Sequence, residues 1–221
     1  MSLSPSTTSA RSGAQARDPL ALGVGARLTV SVMSDDYVAI LLTALADTAA
    51  ASAPGLVVES DDVSTYVGGA EAGVLAYIVD LIARVSASGA HVVAHVQLSR
   101  GCPGELTCGL DAPTLAIPDL TPLAPTGVEA TAQWALYPLA DGPGADHMSH
   151  IMAVIERAKA AGVARASRHF VTELAGDLAD VLGTVADGWL AAGRSVAHVV
   201  THVTISTNHP DADAPATEVT R

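Results

Sequence analysis

Aromatic side chains are scarce in this chain of 221 residues, at 3 %, with a single phenylalanine. A core must therefore be built from Ala, Val, Leu and Ile. Cysteine is nearly absent. The two present, Cys102 and Cys108, lie in GCPGELTCG with no neighbouring histidine, which makes a poor zinc site. They read as paired thiols of a cytoplasmic protein, or as a local disulfide if the compartment is oxidising. Positive charge is the scarcer sign: 11 Lys and Arg against 23 Asp and Glu give a net charge of −12. An acidic surface repels phosphate backbones and argues against nucleic acid as a partner. It would accept a small cation, although acidity also serves solubility. No apolar run reaches the ~18–20 residues that span a bilayer, so no membrane insertion is expected. The opening MSLSPSTTSARSGAQARDPL lacks the apolar centre of a secretory signal. A Gly-rich phosphate loop, a nucleophile elbow and an HExxH pair are all missing, which favours a binder without cofactor over an enzyme.

What the chain does have is an internal repeat. HVVAHVQLS begins at His91 and HVVTHVTIS at His198, 107 residues later. The same offset lays Val63-Ser64-Thr65 over Phe170-Val171-Thr172, Gly69 over Gly176 and Asp80 over Asp187. Upstream the register shifts, and Asp36-Tyr37 opens one helical pattern where Asp146-His147 opens the other. LTVSVM and QWALYP alternate as strands. DDYVAILLTALADTAAA and DHMSHIMAVIERAKAAG follow as helices, with an aspartate at each start to cap free N–H groups and Gly162 closing the second. GLVVESDDVSTYVGG and VARASRHFVTELAGD each read as two strands around a polar turn. A second helix and the His-Val-Val strand complete each copy.

The order βαββαβ, written twice, predicts an α+β protein of tandem ferredoxin-like units, each a four-stranded antiparallel sheet with two helices on one face. The boundaries expected are a disordered leader over 1–24, repeat 1 over 25–100, a Pro/Gly-rich linker over 101–129, repeat 2 over 130–209 and a disordered tail over 210–221. In the last strand of copy one, Val92, Ala94, Val96 and Leu98 share a face that should meet the helices. His91, Val93, His95, Gln97 and Ser99 share the other, as do His198, Val200, His202, Thr204 and Ser206 in copy two. That half-polar, valine-bearing face is expected to pack on another sheet or line a cavity. Two histidines four apart on a strand are separated by roughly 13 Å, too far to share one metal ion. A histidine from each copy could still meet across an interface, in hydrogen bonds or beside a ligand.

QWALYPL, DHMSHIMAVIERAKAAG, HFVTELAGDLADVLGTVADGWLAAG and HVVTHVTIS together resemble the YkoF-type thiamine/hydroxymethylpyrimidine (HMP)-binding family. The first copy, from Leu28 to Ser99, is similar but more diverged. The resemblance implies a soluble, dimeric, non-catalytic protein that binds thiamine or its pyrimidine precursor in vitamin uptake or salvage. Thiamine carries a thiazolium cation and an aminopyrimidine, so a site would combine a carboxylate, hydroxyls and an apolar or aromatic wall. Groups of those types stand at Asp36, Tyr37, Thr65 and His95 in copy one, and at Tyr137, Asp146, Thr172, Glu173 and His202 in copy two. Each has a structural alternative: Asp36 and Asp146 as helix caps, Thr65 and Thr172 as strand formers, Tyr37 as core. Two other classes compete: an assembly module that pairs through its sheet face without a ligand, and a small ferredoxin-like enzyme using a sheet-face histidine.

Overall fold

The computed structural model describes residues 18–101, 117–119, 122–139 and 147–210. After a 3-10 turn at Leu20–Leu22, the chain forms β1 (Gly25–Val32), α1 (Tyr37–Ala51), β2 (Val57–Ser60), β3 (Thr65–Gly68), α2 (Glu71–Ser86) and β4 (Val92–Arg100). The order then repeats as β5 (Glu129–Leu139), α3 (His147–Ala160), β6 (Ala164–Arg168), β7 (Val171–Asp177), α4 (Leu178–Gly193) and β8 (His198–Thr207). This is the tandem ferredoxin-like arrangement. Cys102, Cys108 and Asp146 lie outside the described residues.

The two halves do not stack. They join edge to edge into one eight-stranded sheet in the order β2-β3-β1-β4-β8-β5-β7-β6, antiparallel throughout. The seam is the β4–β8 ladder, and its register explains the duplicated strand. Val96 pairs with Val203, its own counterpart at the 107-residue offset, while Val92 pairs with Thr207 and Arg100 with Val199. A local two-fold axis therefore passes between Val96 and Val203. The seam is isologous, the same edge meeting itself, as in a symmetric dimer written into one chain.

All four helices pack on one side, with α2 and α4 central and in contact. The inward strand residues are the expected ones: Val92, Ala94, Val96 and Leu98 are buried, as are Val199, Val203 and Ile205. Val74, Leu75, Ile78, Ile82 and Val85 of α2 meet them at helical spacing, as do Val181, Leu182, Val185 and Trp189 of α4. Each such side chain contributes about 1.5–3 kcal/mol by leaving water. The two copies fill the same space differently. Leu28 and Trp134 sit at equivalent places, opposite Thr65 and Thr172. Leu81 of α2 becomes Gly188 in α4, and a Cβ on Gly188 would stand 2.5 Å from the Trp134 ring. The larger indole is accommodated by the smaller helix residue, which keeps the volume of the layer constant. The Trp134 Nε1 donates to Thr201 Oγ1 at 2.6 Å, and that hydroxyl donates on to the Ala135 carbonyl at 2.8 Å.

Helix capping departs from the sequence expectation. Asp36 precedes α1, yet its carboxylate caps no N–H. The working cap is Asp177, before α4, which accepts from the Ala179 N–H at 2.8 Å, the Gly127 N–H at 2.7 Å and both donors of Thr126. Desolvation pushes this carboxyl up, but the Thr126, Ala179 and Gly127 donors outweigh it and hold it below the ordinary range. Asp177 thus favours the folded state above the unfolded carboxylate range and loses that contribution as pH falls through its own lower value. The equivalent residue before α2 is Ala70, with no side-chain cap.

Candidate functional site

The side of the sheet away from the helices is open. Strand alternation places Val93, His95, Gln97 and Ser99 of β4 there, beside Val200, His202, Thr204 and Ser206 of β8. Among the described residues this face is covered by neither a second sheet nor a helix: the edge-to-edge join puts both polar-and-valine faces on the same outer side. His95 and Gln97 are exposed, and Val93 and Val200 are half-buried.

Register carries one continuous row across five strands: Thr29, His95, Thr204, Gln133 and Glu173. The next row runs through Tyr66, Arg27, Gln97, His202 and Ala135. Because His95 and His202 are repeat counterparts, the seam axis relates them, and their rings stack at 6.1 Å between centroids and 19° between planes. The His95 Nδ1 shares a hydrogen bond of 3.1 Å with Thr204 Oγ1. Burial lowers the His202 pKa, and the neighbouring His95 lowers it further, so the neutral imidazole is favoured. Farther along the seam, His91 Nε2 lies 3.0 Å from Ser206 Oγ, and its ring meets the His209 ring edge-on at 5.1 Å.

The sequence candidates divide among three places. His95, His202, Tyr137 and Glu173 share the open face. Tyr137 is 50 % exposed, while Glu173 is held by Arg168 Nε at 2.7 Å. Thr65 and Thr172 turn to the helix side and are buried, so they cannot join a site on the open face; Thr65 Oγ1 bonds Ser60 Oγ at 2.9 Å. Asp36 and Tyr37 stand at the start of α1, with Asp36 exposed and Tyr37 at 51 % exposure. A carboxylate and a ring side by side in solvent can receive a cation. Among the described residues no group of three or more His, Cys, Asp or Glu could hold a metal ion, and no helix is long and apolar enough to cross a membrane.

One feature escaped the sequence reading. A cavity of about 640 Å³ opens where β5 and α2 approach the end of β8, lined by Ser86, Thr131, Arg165, Ser206, Asn208 and His209 among others. Its volume falls in the range of small-molecule sites. The residues come from both copies and lie far apart in sequence, and only the alternation that puts Ser206 on the open face hinted at them.

Comparison with known proteins adds two findings. A family model described as "Ykof: YKOF-related Family" matches residues 23–105 and again residues 129–212, one match for each half of the sheet. A protein of Bacillus subtilis (strain 168) named "Putative HMP/thiamine-binding protein YkoF" is 29 % identical over 188 residues, covering 84 % of this chain and 90 % of that protein.

Proposed function

Because the chain belongs to the YkoF-related family, we propose that it is a non-catalytic binding protein for thiamine or HMP, active as a homodimer in vitamin uptake or salvage. The observation that carries this reading is the doubled family match, joined to the name borne by the Bacillus subtilis relative. The chemistry of the chain is compatible with it. A net charge of −12 favours a cationic ligand over a phosphate-rich one. The exposed Asp36 carboxylate and Tyr37 ring supply the pair that a thiazolium requires, and Asp146 is its proposed partner in the second copy. Thr65 and Thr172 are proposed to face the same ligands from the helix side of the sheet. Tyr137 and Glu173 lie across the sheet on the open face and would meet only a separate ligand there. The open face also favours a second reading, an assembly module that pairs through this surface, and pairing serves either function.

Calorimetric titration with thiamine, its phosphates and HMP tests the proposal. Binding is expected, and a ligand at 100 times its Kd should raise the unfolding free energy by about 2.7 kcal/mol. Asp36→Asn should weaken thiamine roughly tenfold, the equivalent of about 1.4 kcal/mol, and leave HMP, which has no thiazolium, nearly unchanged. Absence of heat and of any thermal shift with all of these compounds would overturn the vitamin reading.

A further inference from the structure

Five of the chain's eight histidines gather on or beside the open face: His91 just before β4 and His95 within it, His198 and His202 along β8, and His209 just beyond it. Two pairs bridge the seam, His95 with His202 and His91 with His209. On β4, β8 and β5 the open face around them carries no formal charge until Glu129, while Arg27 of neighbouring β1 lies beside Gln97, in the row next to His95. On the three central strands the open face carries Val93, Gln97, Ser99, Val200, Thr204, Ser206, Thr131, Gln133, Ala135 and Tyr137, with Glu129 only at the very end. Formal charges stand on the flanking strands, and two ion pairs hold part of them. Arg27 holds Asp61 at 2.8 Å on the β1–β3 side, next to Tyr66, and Arg168 holds Glu173 on the β6–β7 side. Glu59 stands outermost on β2. Adjacent strands are ~4.8 Å apart, so Glu173 is roughly 14 Å from His95, three strands away, and roughly 10 Å from His202, two strands away, and it is already held by Arg168.

A chain with twelve excess negative charges repels its own copies through most of its surface. The centre of this face is the exception at neutral pH. It can be buried against a second copy without desolvating a formal charge, and its half-buried valines and the exposed Tyr137 and Leu139 gain by it. Acid changes that balance. Protonated His95 and His202 would place like charges side by side, in a contact that removes the water screening them.

We propose that the open sheet face is an acid-released interface: two copies associate through it near neutral pH and separate as His95 and His202 take up protons. This rests on the homodimer reading above. The lowered pKa of His202 in the single chain shows burial and His95 already acting in the required direction. A sign distinguishes the device from general electrostatics. Lowering the pH reduces the net negative charge, which by itself would tighten association; release through the histidines loosens it.

Sedimentation velocity on the full chain at pH 7.5 and pH 5.8 reads the outcome. The expected result is a two-chain species at pH 7.5, with Kd at least tenfold higher at pH 5.8. Titration of the imidazole ring protons by NMR then assigns the groups: His95 and His202 should titrate at lower pH in concentrated, associated protein than in dilute protein. A two-chain mass with the same Kd at both pH values would overturn the switch and leave the homodimer standing. A single-chain mass at both would overturn the homodimer and the switch with it. Identical titration of both histidines at the two concentrations would overturn their role.

Discussion

Glu71→Ala lowers stability by about 3–5 kcal/mol. Glu71 opens α2 and accepts from Arg100 Nη2 at 3.1 Å, at the last residue of β4. The Arg100 side chain is 3 % exposed and that of Glu71 10 %. The guanidinium Nε has no partner among the described residues, so Glu71 is its principal compensation. Burial lowers the Arg100 pKa and the Glu71 charge works against that shift. Removing the carboxylate leaves a buried cation uncompensated, whereas Glu71→Leu with Arg100→Met removes both charges and should cost far less. The repeat supplies an internal comparison. At the other end of the seam Thr207 takes the place of Arg100 and Ser86 that of Gly193, and their hydroxyls bond at 2.7 Å. Gly193 is what admits the arginine, since a Cβ there would stand 2.8 Å from Arg100 Nη1. Ser86→Ala should therefore cost only about 1 kcal/mol. Chemical denaturation of the three variants checks the order. A cost for Glu71→Ala no larger than that of Ser86→Ala would contradict it.

Gly101→Ala is the second large effect, at about 3 kcal/mol. Gly101 follows β4 with φ of 86°, in the left-handed region where a side chain costs roughly 1–2 kcal/mol. An added Cβ would also overlap the Ala197 carbonyl oxygen, which is backbone and cannot rotate away. Relief requires displacing the chain as it enters β8, at the edge of the seam. Gly89 is the control: its φ is 77°, but nothing lies within 4 Å of a new Cβ, so Gly89→Ala should cost only the conformational part. Copy two shows the tolerated solution. Asn208, the counterpart of Gly101, adopts φ of 51°, and its Nδ2 donates to the Ser86 and Ala90 carbonyls at 2.7 and 3.0 Å. Asparagine bears the left-handed conformation better than most residues, and here its amide also ties down the loop after α2. Thermal melts of Gly101→Ala and Gly89→Ala that shift equally would contradict the overlap.

The element order and the inward faces were legible because alternation and helical spacing report which side of an element is buried. Val92, Ala94, Val96 and Leu98 declared their face at once. The edge-to-edge join was not legible for the same reason. Pairing between edge strands uses backbone groups that every residue carries, so side-chain pattern says little about it. The duplicated strand pointed to the seam only in retrospect, through Val96 meeting its own counterpart. Asp36 fits the rule for helix caps, yet its carboxylate leaves the N–H groups of α1 alone, while Asp177 caps α4 with partners from a segment 50 residues away in sequence. The candidate site was legible as chemistry more than as place. His95 and His202 converge across the seam axis, but Thr65 and Thr172 fall on the buried side, a division that strand parity alone could not assign without the register of β3 and β7.

Amide hydrogen exchange along β4 and β8 tests most directly the join of two ferredoxin-like units into one sheet. With that join, the N–H groups of residues 93–99 and 200–206 are interior to an eight-stranded sheet and exchange last, at the rate of global unfolding, together with those of β1 and β5. Exchange of either strand as fast as the outer strands β2 and β6 would mean that the halves meet in some other way, and the isologous seam would have to be given up.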